Sequence, residues 1–384
     1  MKPRTAALIF LGILLCLTIE VIYKIRHADD PVPDEVPAAS EPATPSPQAP
    51  RATALPSITG SLSLPNPAQL PASPLYARIT ALLEKLRHGG ASSLDLAQLA
   101  DELSAADKRQ AFSAILDFLS TGQDASTGAE FTIGENGRLA GAPTLRVMLM
   151  DLLGRFSDQT GGAEAATLAR TVLETKDSAD EWAVSLRNIA RHEPQSVPYL
   201  AGKMQELLSN APWLTKPSAG MLEAFDVAVF TKDPKLIPPL AAMIGGENQP
   251  LRRAAAVALD RLSEAAPLQV MTYLNQNPRV MADHPFIRAD YFSKADLADP
   301  QQRQAVELYI SRPDVALEEK TKLLKGLVAP ASFVSENLLT QPPPPVDDAV
   351  RLATVEKTTG EWLKSNRFPQ LQPELIRLQS HLGR

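Results

Sequence analysis

The chain has 384 residues, with aromatic residues at 5% and a formal net charge of −6. Few aromatic residues together with abundant Ala and Leu favour helices packed on helices over a β-sandwich, and the mild, dispersed charge disfavours nucleic acid as the main partner. The single cysteine, Cys16, lies in an apolar N-terminal run. The sequence therefore excludes an intramolecular disulfide, a metal site built on cysteines and a cysteine nucleophile in a soluble domain.

The apolar N-terminal run predicts a membrane anchor. Residues 6–23 are almost wholly apolar, and a run of this length is just enough to cross a bilayer as a helix. Basic residues follow it directly, where a cleaved signal peptide would carry a small-residue cleavage site. Lipid attachment at Cys16 is disfavoured, because Leu15 stands at the preceding position, where a small residue is expected. We therefore expect residues 1–27 to form an uncleaved transmembrane signal-anchor.

The charges around the anchor indicate on which side of the membrane the remaining chain lies. Two basic residues and the amino terminus precede the run, and two basic residues follow it. This narrow excess favours an amino terminus inside. No asparagine begins an Asn-x-Ser/Thr sequon, so nothing indicates a glycosylated secretory protein. We expect a single-pass protein of a bacterial inner membrane with its C-terminal domain in the periplasm.

Residues 28–74 have the composition of a disordered linker. Twelve prolines lie between residues 30 and 74, separated mainly by Ala, Ser and Thr, with almost no bulky apolar side chain. Such a segment buries too little surface to fold, and its prolines favour extended polyproline II conformations. It is either a passive spacer or a docking track for a proline-binding module.

One pattern occurs three times in the middle of the chain. Residues 193–201 align without gaps on residues 233–241, forty positions later, and residues 266–274 are a weaker third copy. An amphipathic run precedes each copy, at residues 182–191, 221–230 and 251–262. A period of roughly 33 to 45 residues, each unit being a helix, a turn marked by proline and a second helix, predicts an α-solenoid of stacked helix pairs.

The best copy resembles the HEAT-repeat family. Residues 233–240 read Asp-Pro-Lys-Leu-Ile-Pro-Pro-Leu and are followed by the Arg-Ala-rich run at residues 250–259. HEAT units likewise run as an acidic-Pro turn, an apolar helix and an Arg-Ala-rich helix. The resemblance implies an all-α solenoid of antiparallel helix pairs over residues 75–384 and a general binding role. It carries over no catalytic or ligand-binding residue.

Helices are also predicted outside the three copies. In the N-terminal half they cover residues 76–87, 94–103, 105–119, 144–156 and 163–175, with Ser93 and Ser104 as candidate caps. Residues 277–300 are expected to be less regular. Further helices are expected over residues 301–311 and 317–328, and residues 346–384 are expected to form a terminal capping pair, which a solenoid needs at its open end.

An irregular insertion spans residues 122–143. Short apolar segments flank Gly134-Glu135-Asn136-Gly137, and Asn-Gly is a strong signal for a hairpin turn. A small β-hairpin between helices is therefore expected. It is either a loop that recognises a partner or a structural plug.

Six residues are candidates for partner binding. Three belong to the insertion and three to the repeats: Phe131, Asn136, Arg138, Trp213, Arg252 and Arg253. A tryptophan in a loop between repeats can anchor a partner, whereas packing over the next helix is the alternative for Trp213. Arg252 and Arg253 either meet an acidic partner or pair with a neighbouring repeat.

The sequence carries no motif for catalysis, metal binding or phosphate binding. The five histidines do not have the spacing of metal ligands, and Asp283 and His284 are adjacent, which suits an acid–base pair poorly. His192 is expected at a helix C-terminus, where the helix dipole favours it. The charged residues 318–325 predict an ordinary solvated helix face. We expect no cofactor and no metal.

These observations favour a function without catalysis. The chain is expected to be a membrane-anchored scaffold or adaptor whose helical-repeat surface binds a protein partner on the extracytoplasmic side. One alternative is an enzyme or enzyme subunit with a site in the concave face of the solenoid. Another is a binder of cell-envelope glycan, which would need exposed aromatic residues, and the chain has three Trp and six Tyr.

Overall fold

The computed structural model describes residues 73–160, 162–331, 337–340 and 347–383. This part of the chain is all-α apart from one two-stranded sheet. The expected anchor over residues 1–27 and nearly all of the expected linker over residues 28–74 lie outside it. Within the described ranges, no helix combines the length and the apolar character that crossing a membrane requires.

Three helices open the described chain, and their first turns correct two predicted caps. They are α1 (Pro74–Arg87), α2 (Ser93–Ala105) and α3 (Lys108–Ser120). Ser92 rather than Ser93 caps α2, because its hydroxyl accepts the amide of Asp95 while the Asp95 carboxylate accepts the Ser92 amide. Asp107 rather than Ser104 caps α3, because its carboxylate accepts two amides of the first turn. A short side chain caps a helix only if it precedes the first helical residue.

The insertion contains the expected hairpin. Strands β1 (Thr132–Ile133) and β2 (Leu139–Gly141) are antiparallel and are joined by a 3₁₀ turn over Glu135–Gly137. Asn136 and Gly137 have φ of 56° and 68°, the left-handed region that Asn and Gly adopt most readily. This turn chemistry is local, so the sequence predicts it well.

The remaining chain is a series of helices, most of which start at or beside a proline. Their bounds are α4 (Leu145–Thr160), α5 (Gly162–Glu174), α6 (Ala179–His192), α7 (Val197–Leu208), α8 (Ala211–Thr215), α9 (Ala219–Glu223), α10 (Asp226–Thr231), α11 (Ile237–Ile244), α12 (Gln249–Ala265), α13 (Pro267–Gln276), α14 (Pro285–Ser293), α15 (Pro300–Ser311), α16 (Leu317–Val328), α17 (Asp348–Lys364) and α18 (Gln372–Leu382). Proline costs little in the first turn, where its missing N–H would have no partner.

Two segments differ from the prediction. The expected continuous helix over residues 221–230 is divided into α9 and α10 by a tighter turn, in which the amides of Phe225 and Val227 donate to carbonyls three residues back. Residues 277–300, expected to be less regular, contain α14. The amphipathic pattern over residues 221–230 predicts a helix but not the break within it. Helix α14 is too short for its sequence to show a clear helical period.

The helices pack in two rows. Helices α4, α6, α9 with α10, α12, α14 and α16 contact one another in succession and are called the front row here. The back row consists of α5, α7, α11 and α13, which pair with front-row helices, and α15, which packs on α13. Apolar side chains between the rows form one continuous core. Each helix pair exposes apolar surface that the next pair covers, which is why such pairs stack.

Buried ion pairs join successive front-row helices at the period of the repeat. Arg187 pairs with Asp151, 36 residues away, and Arg261 pairs with Asp226, 35 residues away. Lys294 pairs with Asp260, and Arg288 pairs with Glu319, 31 residues away. A buried charge must be paired and hydrogen-bonded, so each pair favours one register of its two helices.

Helix α16 contradicts the prediction of a solvated face at Glu319 and Lys320, whereas Glu318 and Lys325 are exposed as predicted. Glu319 is 2% exposed and accepts hydrogen bonds from Arg288 at 2.8 and 3.0 Å and from the Tyr309 hydroxyl. Lys320 is 5% exposed and donates to the carbonyl of Arg312 at 2.6 Å. The partners of Glu319 and Lys320 come from α14 and from the end of α15. The sequence of residues 318–325 alone does not contain them.

Candidate functional site

A short segment with a bend at Leu338 and Leu339, residues 337–340, lies against the front row and is called the strap here. The Asp226 carboxylate accepts the backbone amides of Leu339 at 2.8 Å and Thr340 at 2.6 Å, together with the Thr340 hydroxyl. Arg261 donates to the carbonyl oxygen of Thr340 at 3.1 Å and to Asp226 at 3.0 Å. We call Asp226 and Arg261 the clamp. Apart from the Thr340 hydroxyl, the clamp contacts backbone atoms of the strap.

The clamp is buried, and the strap completes its hydrogen bonding. Asp226 is 6% and Arg261 is 3% exposed. Burial raises the pKa of Asp226, while the hydrogen bonds from Thr340 and the charge of Arg261 lower it, and the raising effect is the larger. A buried carboxylate is tolerated when its oxygens are saturated with donors. Three of its donors come from the strap, so the strap stabilises the buried carboxylate.

The clamp is positioned by the break between α9 and α10. Asp226 begins α10 directly after the tight turn at Ala224 and Phe225, while Arg261 projects from α12, the next helix in the front row. A 3₁₀ turn inside an otherwise helical stretch often marks a functional position. Here the turn ends α9, so that α10 begins at Asp226, which binds the strap.

The hairpin of the insertion lies against the strap on one side and α6 on the other. Arg187 donates to the carbonyl of Gly137 at 3.0 Å, and Arg191 donates to that of Asn136 at 3.1 Å. A Cβ at Gly137 would collide with the carbonyl oxygen of Leu338 and lie 2.8 Å from that of Asn337. The turn therefore needs glycine here for its φ and for the close approach of the strap.

A polar network under the hairpin ties α4 to α6. Arg187 is fully buried and donates to Asp151 and to the side-chain oxygen of Asn188, whose amide donates to the Met150 carbonyl at 3.0 Å. Gly154 allows the close approach, because a Cβ there would collide with the Asn188 side chain. The network fixes the guanidinium of Arg187 so that it reaches the hairpin.

A cavity of about 530 Å³ adjoins the clamp between α9, α10 and α12. Its apolar walls include Leu222, Phe225, Val229 and Val257, and Asn337 of the strap closes part of it. Charged lining residues are Glu223, Asp226, Arg253 and Arg261. The volume is within the range of ordinary ligand sites, and the mixture of apolar walls with a few charges suits a side chain that has an apolar stem and a polar end.

The structure places the three insertion candidates differently. Phe131 is buried, and its ring lies close to Gly220, where an added Cβ would be 2.9 Å from it. Asn136 and Arg138 have exposed side chains, and the backbone of Asn136 binds Arg191. The charge of Arg138 contributes to a lowered pKa of Arg155, whose largest cause is burial. The hairpin touches the site through its backbone.

Of the repeat candidates, one adjoins the cavity. Trp213 is half-buried and packs edge-to-face on Trp182, with ring centroids 5.2 Å apart, an arrangement in which aromatic pairs are favourable. Arg252 and Arg253 are both exposed on α12, and Arg253 lines the cavity. The clamp, Glu223 and the strap were not among the sequence candidates. One signal was present: Asp226 is a lone acid inside the apolar run Phe225 to Phe230.

Within the described part of the chain, no three His, Cys, Asp or Glu side chains are grouped to hold a metal ion. His192 ends α6, and its ring Nε2 lies 2.8 Å from the Gly154 carbonyl oxygen, a contact between helices. No model of a known protein family matches the chain, and neither characterised proteins nor solved structures show a significant match.

Proposed function

We propose that the chain is a non-catalytic binding protein, a HEAT-like helical-repeat scaffold whose front row binds a short bent segment of a protein partner at the clamp. One observation carries the proposal: Asp226 binds two consecutive amides of a bent backbone, and Arg261 binds a carbonyl of the same segment. Backbone groups in such a bend supply affinity that depends little on sequence, and side-chain sites supply the choice of partner. The strap occupies the site within the chain, and a partner replaces it.

The packing of the described helices supports a repeat scaffold. Successive front-row helices are joined by buried ion pairs 31 to 36 residues apart, close to the period of the sequence repeat. Helix pairs stacked in this way present neighbouring helices side by side, and such surfaces bind extended segments in repeat proteins. The α-solenoid architecture is part of the proposal.

Binding in trans tests the proposal. In the full chain, Leu339 and Thr340 are both replaced by proline, so that the strap has no backbone N–H to donate to Asp226, and a fluorescent peptide with the sequence of residues 335–341 is titrated. We expect saturable binding, weakened about tenfold by Arg261→Met because a hydrogen bond to a charged group is lost. Arg252→Met, which removes an exposed charge from the same helix, is the matched control and leaves the affinity unchanged.

A second measurement leaves the protein untouched. The same peptide, N-methylated at the positions of Leu339 and Thr340, has lost the amide donors that Asp226 accepts. It should not bind, because a buried carboxylate is then left without its donors. If the plain peptide fails to bind the folded protein with Leu339→Pro and Thr340→Pro, or the methylated peptide binds equally well, the proposal is wrong.

We also propose that residues 6–23 tether this scaffold to a bacterial inner membrane, with residues 28–74 as spacer and the repeats in the periplasm. Support comes from the apolar run and its flanking charges in the sequence. Alkaline phosphatase fused after residue 75 should be active, since it folds only outside the cytoplasm, and green fluorescent protein fused there should be dark. A fluorescent fusion in the soluble fraction would contradict both the tether and the orientation.

A further inference from the structure

Glu223 is the charged residue of the cavity that the fold leaves uncompensated. It ends α9, lines the cavity and is half-buried. Among the described residues it has neither a hydrogen-bond partner nor an ion-pair partner, whereas Asp226 beside it is neutralised by Arg261. Burial and the neighbouring charge of Asp226 raise the pKa of Glu223. A carboxylate that is partly removed from water without a cation is unfavourable.

The other walls of the cavity are suited to the stem of a long side chain. Leu222, Phe225, Val229 and Val257 are apolar and line the same cavity as Glu223. Lysine and arginine place their methylene groups along such surfaces while the charged end reaches a polar partner. Arg253 also lines the cavity, but its side chain is exposed to water and forms no ion pair with Glu223 among the described contacts.

We infer that the cavity is a specificity site for a lysine or arginine side chain of the partner segment, whose charge Glu223 binds. The inference rests on the proposed function, because it names the side chain that the bound segment carries next to the clamp. The strap itself presents Asn337 to the cavity, and residues 335–341 contain no lysine or arginine. The strap therefore leaves Glu223 without a counter-charge, and a partner with a basic residue at this position binds more tightly.

The test compares peptides on one protein. The full chain with Leu339→Pro and Thr340→Pro is titrated with three peptides of residues 335–341, which carry Asn, Lys or Glu at the position of Asn337. We expect the Lys peptide to bind about tenfold more tightly than the Asn peptide and the Glu peptide to bind more weakly, because a partly buried ion pair exceeds the small contribution of exposed pairs.

Two variants test whether the tighter binding of the Lys peptide depends on the carboxylate of Glu223. Glu223→Gln should remove the preference for Lys while leaving the affinity for the Asn peptide unchanged. Glu247→Gln removes an equal charge from an exposed position that does not line the cavity, and it should keep the full preference. A tenfold gain that persists in Glu223→Gln would come from general attraction to an acidic chain and would overturn the inference.

The outcomes separate this inference from the function on which it rests. If the Asn and Lys peptides bind equally well, the specificity site is wrong and the binding of a partner segment at the clamp stands. If none of the three peptides binds the folded protein, the proposed function fails and the specificity site fails with it. If Lys is preferred and Glu223→Gln abolishes the preference, both are supported.

Discussion

Arg261 and Asp226 stand on successive front-row helices, 3.0 Å apart, and both side chains reach the backbone of Thr340. Thr340 is more than a hundred residues beyond Asp226 in sequence. The pair therefore links two front-row helices to each other and both to a distant segment. Three of the hydrogen-bond donors to Asp226 belong to that segment.

Removing one member of the clamp should destabilise the protein more than removing both. Asp226→Leu leaves the Arg261 charge buried without a partner, and we expect a loss of about 3–5 kcal/mol in the free energy of unfolding. The double variant Asp226→Leu with Arg261→Met should cost less than either single change, because no buried charge remains. Urea unfolding of the three variants measures this.

An exposed ion pair serves as the control for this comparison of single and double variants. Arg78 and Glu102 are bonded at 2.8 and 2.9 Å on the surface, and Arg78→Ala should leave the free energy of unfolding nearly unchanged, because exposed ion pairs contribute little. The prediction is wrong if each single clamp variant loses as little stability as Arg78→Ala and the double variant loses the sum of the two. In that case the charges of Asp226 and Arg261 do not depend on each other for stability.

Gly137→Ala should release the strap from the hairpin. An alanine there is strained by its positive φ, and its Cβ collides with the Leu338 carbonyl. Gly128→Ala shares a positive φ of 75° but meets no atom within 4 Å, so it carries the same backbone strain, about 1 kcal/mol, without the collision. Hydrogen exchange should show faster exchange of the Leu339 and Thr340 amides in Gly137→Ala alone. Equal protection in both variants would contradict the contact.

Alanine at two helical glycines should have opposite effects. Gly154→Ala forces Asn188 away from Arg187 and from the Met150 carbonyl, and overpacking of this kind costs about 1–3 kcal/mol. Gly202→Ala lies inside α7 with open space around the new Cβ, so it should stabilise the protein by about 1 kcal/mol through helix propensity. Thermal unfolding of both variants distinguishes them, and a stabilising Gly154→Ala would show that the α4–α6 contact is loose.

Glu223→Gln should raise stability at neutral pH and lose this advantage in acid. The pKa of Glu223 is raised in the folded state above its unfolded value, which is about 4.3. The folded state therefore holds the proton more tightly, and stability falls as pH rises through the window between the two values. Above that window the wild type carries the full cost of a partly buried charge, and below an unfolded pKa of about 4.3 it carries none.

Melting temperatures at pH 7 and pH 4 measure this difference. The gap between Glu223→Gln and the wild type should be present at pH 7 and shrink towards pH 4, while Glu247→Gln, an exposed acid, should change little at either pH. A residue that lowers stability where the protein works is expected at a functional position. Equal melting temperatures at pH 7 would remove that support for a role of Glu223.

Local patterns predicted much of the helical framework. The run over residues 251–262 corresponds to α12, residues 317–328 coincide with the bounds of α16, and Asn136-Gly137 marks the hairpin turn. These features depend on periodicity and turn chemistry, which neighbouring residues settle among themselves. The predictions failed where a partner distant in sequence decides: the break before Asp226 and the burial of Glu319 and Lys320 by α14 and α15.

The candidate site could not be derived from any one stretch of sequence. Its clamp takes one residue from each of two repeats, and the strap that completes it follows Asp226 by 113 residues at Leu339. The sequence by itself indicates the helices and the hairpin, because the interactions that form them span a few positions. It indicates the repeat through a recurring pattern of residues. Which charges are buried, what they bind and where a cavity remains depend on how stacked helices meet a returning segment, and those contacts exist only once the chain has folded.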